Sequence, residues 1–141
     1  MGERNLAHPL CWAVEVDGRL LGEARLDGLN SHDRARLAAR LYDVSQLGRG
    51  LGREAIGLLL SHAFGALALH RIDLRVLAFN ERAIRCYRAC GFIAEGCERE
   101  IARIGEQWQD DIIMGLLAKE FCASVARQSE ATTQTYSSNG R

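Results

Sequence analysis

The chain has 141 residues, 48% of them hydrophobic and 26% charged, enough apolar material for one compact domain with a real core. Its 18 basic and 18 acidic residues cancel, so no net charge marks nucleic acid or an anionic membrane as a partner. No apolar run has the length of a membrane span, and the first residues lack the apolar stretch of a secretory signal, which points to a cytoplasmic protein.

Residues 1–9 read as a short polar leader. Cys11 to Val16 and Arg19 to Leu26 read as a hairpin around Asp17-Gly18, a favourable turn pair. A polar loop follows over Asp27 to Asp33. From Arg34 to Tyr42, Leu37, Ala39 and Leu41 alternate with Arg36, Ala38 and Arg40, the period of a strand. A helical run over Glu54 to Leu69 places Ile56, Leu59, Leu60, Ala63, Phe64 and Leu67 on one face. Arg71 to Leu77 alternates again, and Glu81 to Cys90 reads as a second helix with Asn80 suited to its N-cap. Gly91 fits the position just past that helix, and two strands joined through Gly105-Glu106 follow, Phe92 to Ile104 and Trp108 to Leu117. The domain is expected to occupy residues 1–121. From residue 122 a flexible tail is expected, since the chain past Ser124 is Ser, Thr, Gln and Asn with almost nothing apolar.

Two stretches carry chemistry. In Gln46-Leu47-Gly48-Arg49-Gly50-Leu51-Gly52-Arg53, glycine stands at every second position, so backbone can approach a ligand closely. A helix beginning at Gly50 to Gly52 points unpaired N–H groups and its positive dipole end into that gap, and phosphate or pyrophosphate is the natural occupant. The spacing is not that of a dinucleotide-binding fingerprint, whose sixth position is Arg53 here, nor of a P-loop, which needs Gly-Lys-Ser/Thr. The second stretch is Val76-x-x-x-Asn80-x-x-Ala83-x-x-x-Tyr87-x-x-x-Gly91-Phe92, a strand, a capped helix and a restart. The five cysteines are odd in number and scattered. Cys86 and Cys90 share a helix face but supply half a metal site, so all five read as reduced thiols and no metal is expected.

With both stretches in order and about thirty residues apart, the chain resembles the GCN5-related N-acetyltransferases over residues 11 to 118. His70-Arg71-Ile72, Asn80 to Phe92, Glu95-Gly96, Asp111 and Met114 look like the RimJ/RimL-type branch. Ser45 to Gly52 with Arg82 to Tyr87 is also similar to aminoglycoside 6′-N-acetyltransferases. The family's cofactor loop is commonly Gln/Arg-x-x-Gly-x-Gly/Ala. Here Leu47 takes the first position, with Gln46 adjacent and Arg49 and Arg53 able to supply charge.

That resemblance implies an α/β fold: a mixed, mostly antiparallel sheet with splayed central strands, flanked by helices, and an N-terminal strand and helices that look shortened. It implies acetyl transfer from acetyl-CoA, without metal, to a primary amine such as a peptide N-terminus or a small molecule. Leu41 and Tyr42 would bond the pantetheine arm, and Gly48, Arg49, Gly50, Leu51, Gly52 and Arg53 would hold the pyrophosphate. Asn80 would bond the arm or a water, and Tyr87 would hydrogen-bond the departing thiolate. Glu23, His32, Asp43 and Glu95 are the candidates for a general base. Arg82, Arg85 and Arg88 read as a solvated stripe. An exposed strand edge favours a homodimer. An aminoglycoside-type acetyltransferase and a non-catalytic acyl-CoA-binding module are the alternative readings.

Overall fold

The computed structural model describes residues 10–16, 18–29, 32–41 and 51–122. Eight elements follow in chain order: β1 (Leu10–Val16), β2 (Arg19–Asp27), β3 (Arg34–Leu41), α1 (Leu51–Phe64), β4 (Arg71–Leu77), α2 (Glu81–Ala89), β5 (Ile93–Ile104) and β6 (Gln107–Leu117). The six strands form one sheet in the order β1-β2-β3-β4-β6-β5. Every neighbouring pair is antiparallel except β3 and β4. This is the mixed, mostly antiparallel sheet expected from the sequence.

The one parallel pair sets the architecture. Its ladder holds three rungs, Arg34 with Arg71, Ala35 with Ile72 and Arg36 with Asp73. Past the third rung β3 runs on to Leu41 and β4 to Leu77 without pairing to each other. Each arm is held from outside: β3 pairs β2 up to Gly22 with Leu41, and β4 pairs β6 up to Leu77 with Asp111. The arms can therefore diverge without abandoning their outer hydrogen bonds. Backbone groups on the two inner edges are left facing a slot.

Alternation along β4 divides the sheet into two faces. Ile72, Leu74 and Val76 join Ala24, Leu26, Ala35, Leu37, Met114 and Leu116 in the core, covered by Ile56, Leu59, Leu60 and Ala63 of α1. Ala83, Ile84 and Tyr87 of α2 pack against the same cluster, as does Phe92 beyond it. The opposite register of β4, Arg71, Asp73 and Arg75, is charged.

Most strand and helix boundaries fall within a residue of the sequence reading, and the end of α1 is the large difference. Helix α1 begins at Leu51, within the Gly50 to Gly52 start expected of it, but ends at Phe64 rather than Leu69. Beyond it Ala68 takes a left-handed backbone with φ 51° and the Leu69 amide returns to the Ala63 carbonyl, so Leu69 reaches the core from a turn. Gly65, a poor helix former, begins that turn. Tyr42 lies outside the described residues, so the β3 strand is described to Leu41. At the other end of the sheet, residues 118–122 form a helical turn in which Phe121 stacks on Phe64 at 5.3 Å. Ordered chain thus continues to Cys122, and the expected tail otherwise falls outside the described residues.

Candidate functional site

Parallel strands bring their C-terminal ends together, and ligands in open sheets gather at that end. Here the C-terminal ends of β3 and β4 are also where the pair has separated, and each leads towards a helix N-terminus. The first turn of α1, Leu51 to Glu54, carries amides without intrahelical partners. Arg53 in that turn is exposed and forms no ion pair among the described residues. Tyr42, Gly48, Arg49 and Gly50, expected to bind cofactor, lie outside the described residues, as do Gln46 and Asp43. Leu41, Leu51, Gly52 and Arg53 are described, at the two ends of the segment that joins the slot to the helix.

Helix α2 begins as its sequence indicates. The Asn80 side-chain oxygen accepts from the Ala83 amide at 3.2 Å, satisfying one of the helix's orphan donors. This leaves the Asn80 amide nitrogen, on an exposed residue, as a donor for something else. Tyr87 follows seven residues later on the same side of the helix. Its ring meets Phe92 edge-to-face at 5.8 Å, and its hydroxyl has no hydrogen-bond partner among the described residues. Burial, with smaller contributions from Cys86 and Cys90, pushes its phenol up to about 12. The side chain therefore stays neutral and donating through the physiological range. Arg82, Arg85 and Arg88 are all exposed, the solvated stripe expected of them.

The end of α2 rests on the start of α1. The Cys90 thiol donates to the Arg53 carbonyl at 3.7 Å and also has the Cys86 sulfur within reach. That neighbouring thiol, and then the Arg53 charge, lower Cys86 to about 7, while Cys90 is raised by the same contact and by burial. All five cysteines are outside disulfides. Among the described residues no group of three or more His, Cys, Asp or Glu is placed to hold a metal. No described helix is long and apolar enough to cross a membrane.

Of the candidate bases, Glu95 is engaged by both Arg71 terminal nitrogens, at 2.6 and 2.9 Å. That ion pair holds its carboxyl below the usual range, which suits a structural partner better than a proton acceptor. Glu23 is exposed on β2 opposite Arg40, and His32 is exposed in the turn before β3. The pattern missed in the sequence lies around Asp73, only 4% exposed and met by four guanidiniums from both strands of the splayed pair. The signal is present as Arg34-x-Arg36 and Arg71-x-Asp73-x-Arg75, which alternation puts on one face; the register that joins them is not local.

Comparisons with known proteins agree with this geometry. The sequence model of the Acetyltransferase (GNAT) family matches residues 3–92. A spermidine N(1)-acetyltransferase of Vibrio cholerae is 30% identical over 107 residues, 76% of this chain and 62% of that protein. The spermidine N(1)-acetyltransferase of Escherichia coli K12 is 32% identical over 113 residues, 79% of this chain and 60% of that protein. A probable N-acetyltransferase of Bacillus subtilis, YjcK, is 33% identical over 75 residues, 53% of this chain and 41% of that protein. The chain thus spans less than two thirds of the length of these curated relatives. Among solved structures, the Vibrio cholerae spermidine N-acetyltransferase in complex with CoA and spermine superposes with a TM-score of 0.73 at 28% identity, covering 79% of this chain and 67% of that one. The Vibrio cholerae and Escherichia coli proteins are named for spermidine, so the comparisons support the family and not specifically its RimJ/RimL-type branch or the aminoglycoside 6′-N-acetyltransferases. The chain belongs to the acetyltransferase (GNAT) family.

Proposed function

We propose that the protein is an acetyl-CoA-dependent N-acetyltransferase whose acceptor is a primary amine on a small, polyamine-like molecule. The observation that carries this reading is the interrupted parallel pair: a three-rung ladder that opens into a slot towards the C-terminal ends of two strands, each followed in the chain by a helix. An open ladder leaves backbone donors and acceptors on facing edges, which an extended chain of amides can satisfy as a strand would. Pantetheine is such a chain, and the N-terminal turn of α1 with Arg53 suits the pyrophosphate that follows it. When bound, acetyl-CoA supplies an activated thioester acetyl group.

The residues then have separate roles. Leu41 and Tyr42 would offer backbone amides where the slot ends, one to pair with the arm and one to stabilise the thioester oxygen as charge develops. Asn80 caps α2 with its oxygen and has its amide nitrogen free to donate to the arm or a water. Tyr87 donates a hydrogen bond to the sulfur as the carbon–sulfur bond breaks. It does not hand over its proton completely, because transfer from a phenol at about 12 to an ordinary thiolate at about 8.5 would cost about 5 kcal/mol. The amine's surplus proton leaves to solvent.

The acceptor assignment rests on the two spermidine acetyltransferases that are 30% and 32% identical over three quarters or more of this chain. A panel of spermidine, spermine, an aminoglycoside and a short peptide with a free N-terminus, each offered with acetyl-CoA, tests it by mass spectrometry of the products. Acetylated polyamine at the highest kcat/KM supports the proposal. Preferred acetylation of the peptide moves the acceptor to protein N-termini, and binding of acetyl-CoA without any product makes the protein a non-catalytic acyl-CoA-binding module. Strand β1, outermost at its edge of the sheet among the described residues, also supports a homodimer, read by sedimentation.

A further inference from the structure

We infer that Asp73 is a positioning residue that fixes where β3 and β4 part, and with it the closed end of the slot. The inference rests on the reading of that slot as the acetyl-CoA site. Asp73 stands on the last rung of the ladder, opposite Arg36. Its carboxylate accepts from the Arg36 Nε at 3.1 Å, across the strand boundary and at the divergence point. Arg75 and Arg71 approach at 3.6 Å along its own strand, and Arg34 approaches at 3.8 Å from β3. Two of the four cations thus belong to each strand, and one buried anion lies between them.

The arrangement is held from behind. Arg71 is also gripped by Glu95, and Arg75 by Glu98 at 2.7 Å, both carboxylates from β5. Their partner arginines are thereby fixed on β4, whereas Arg34 and Arg36, about half exposed, have Asp73 as their ion-pair partner. Without its charge, two cations on β3 would face two on β4 across a closed ladder. Repulsion would then favour separation, and the fork would move toward the N-terminal ends of both strands. A surface ion pair contributes little to a fold, but an anion this buried, whose removal leaves its cations opposed, has a larger effect.

The third rung therefore marks a boundary set by charge. Beyond it the same face of β3 presents Ala38 and Arg40, and that of β4 presents Arg75 and Leu77, so no second carboxylate continues the clamp. The pairing stops where its anion stops.

Asp73→Asn, with nearly the same shape and no charge, tests this, with residue-resolved amide exchange and acetyl-CoA kinetics as readouts. The expected result is exchange at least tenfold faster across residues 34–36 and 71–73, unchanged exchange in β6, and a tenfold higher KM for acetyl-CoA with kcat within threefold. Arg36→Met, which removes the cross-strand hydrogen bond and leaves Asp73 in place, should move both readouts in the same direction, and it decides the matter if Asp73→Asn does not fold. Glu98→Gln, which loosens Arg75 on β4 but leaves the cross-strand hydrogen bond from Arg36 to Asp73, should move both by far less. Unaltered exchange in the ladder, or an equal effect of Glu98→Gln, would overturn the inference. If the unmodified protein binds no acetyl-CoA, the functional reading fails, and the exchange data still decide whether Asp73 sets the fork.

Discussion

Deleting the Tyr87 hydroxyl separates a catalytic tyrosine from a packing one, because the two uses of the side chain are carried by different atoms. The ring packs edge-to-face on Phe92, whereas the hydroxyl has no partner among the described residues. Tyr87→Phe keeps the ring and breaks no hydrogen bond, so folding stability should change by less than about 0.5 kcal/mol. A hydrogen bond to a charged group contributes roughly 1.5–3 kcal/mol. If it is made only as the thiolate develops, kcat should fall roughly 10- to 150-fold at unchanged acetyl-CoA affinity. The assay is chromatographic measurement of CoA release at saturating amine, beside a calorimetric titration of the cosubstrate. Alkaline titration gives a second reading. The folded phenol lies near 12 against about 10 when unfolded, so its contribution to stability is complete below pH 10 and is lost as pH rises toward 12. The Phe variant should lack that part of the alkaline loss. A kcat within threefold of the parent would make Tyr87 a packing residue and remove it from the mechanism.

Thiol chemistry and two glycines give further tests. Cys86, lowered to about 7 chiefly by Cys90, should react with iodoacetamide with a midpoint near pH 7, and Cys90→Ala should move that midpoint upward, both read by peptide mass spectrometry. Gly115 lies under the Arg71–Glu95 pair, and a Cβ there would stand 2.7 Å from an Arg71 nitrogen and against the Glu95 carboxylate. Both are ends of flexible chains, so Gly115→Ala should cost only the ion pair, under about 1 kcal/mol, and adding Glu95→Gln should cost nothing more in thermal melts. Gly91 is different: its φ of 109° is closed to other residues, and an added Cβ would stand 3.3 Å from a Leu116 methyl group. Gly91→Ala should destabilise by about 1–3 kcal/mol in the same assay.

What is legible in the sequence is chemistry that acts over a few residues. The β1–β2 turn has Gly18 at φ 78° and the β5–β6 turn has Gly105 at φ 65°, both where turn composition locates them. Asn80 caps the helix it precedes, and the buried face of α1 follows its 3.6-residue period. The splay is expected from the resemblance and is visible in the short ladder. The end of α1 is misplaced in the sequence reading because Leu67 and Leu69 continue an apolar pattern that the chain satisfies through a turn, with Ala68 left-handed. The Asp73 cluster escapes it for a deeper reason. Arg36 and Asp73 are 37 residues apart and meet only through a parallel register, which no local preference specifies. In sequence Asp73 is simply the polar position of a half-buried strand, whereas in the sheet it is the anion between two pairs of arginines.

The proposed chemistry depends on acetyl-CoA lying in the slot between β3 and β4, with its pyrophosphate at the turn into α1. A calorimetric titration of acetyl-CoA into the purified protein, and into a Gly50→Asp/Gly52→Asp variant that places carboxylates where pyrophosphate should lie, decides this. Micromolar binding by the parent, roughly −8 kcal/mol, and its loss in the variant are expected. No binding by the parent, or equal binding by both, would contradict the placement of the cosubstrate.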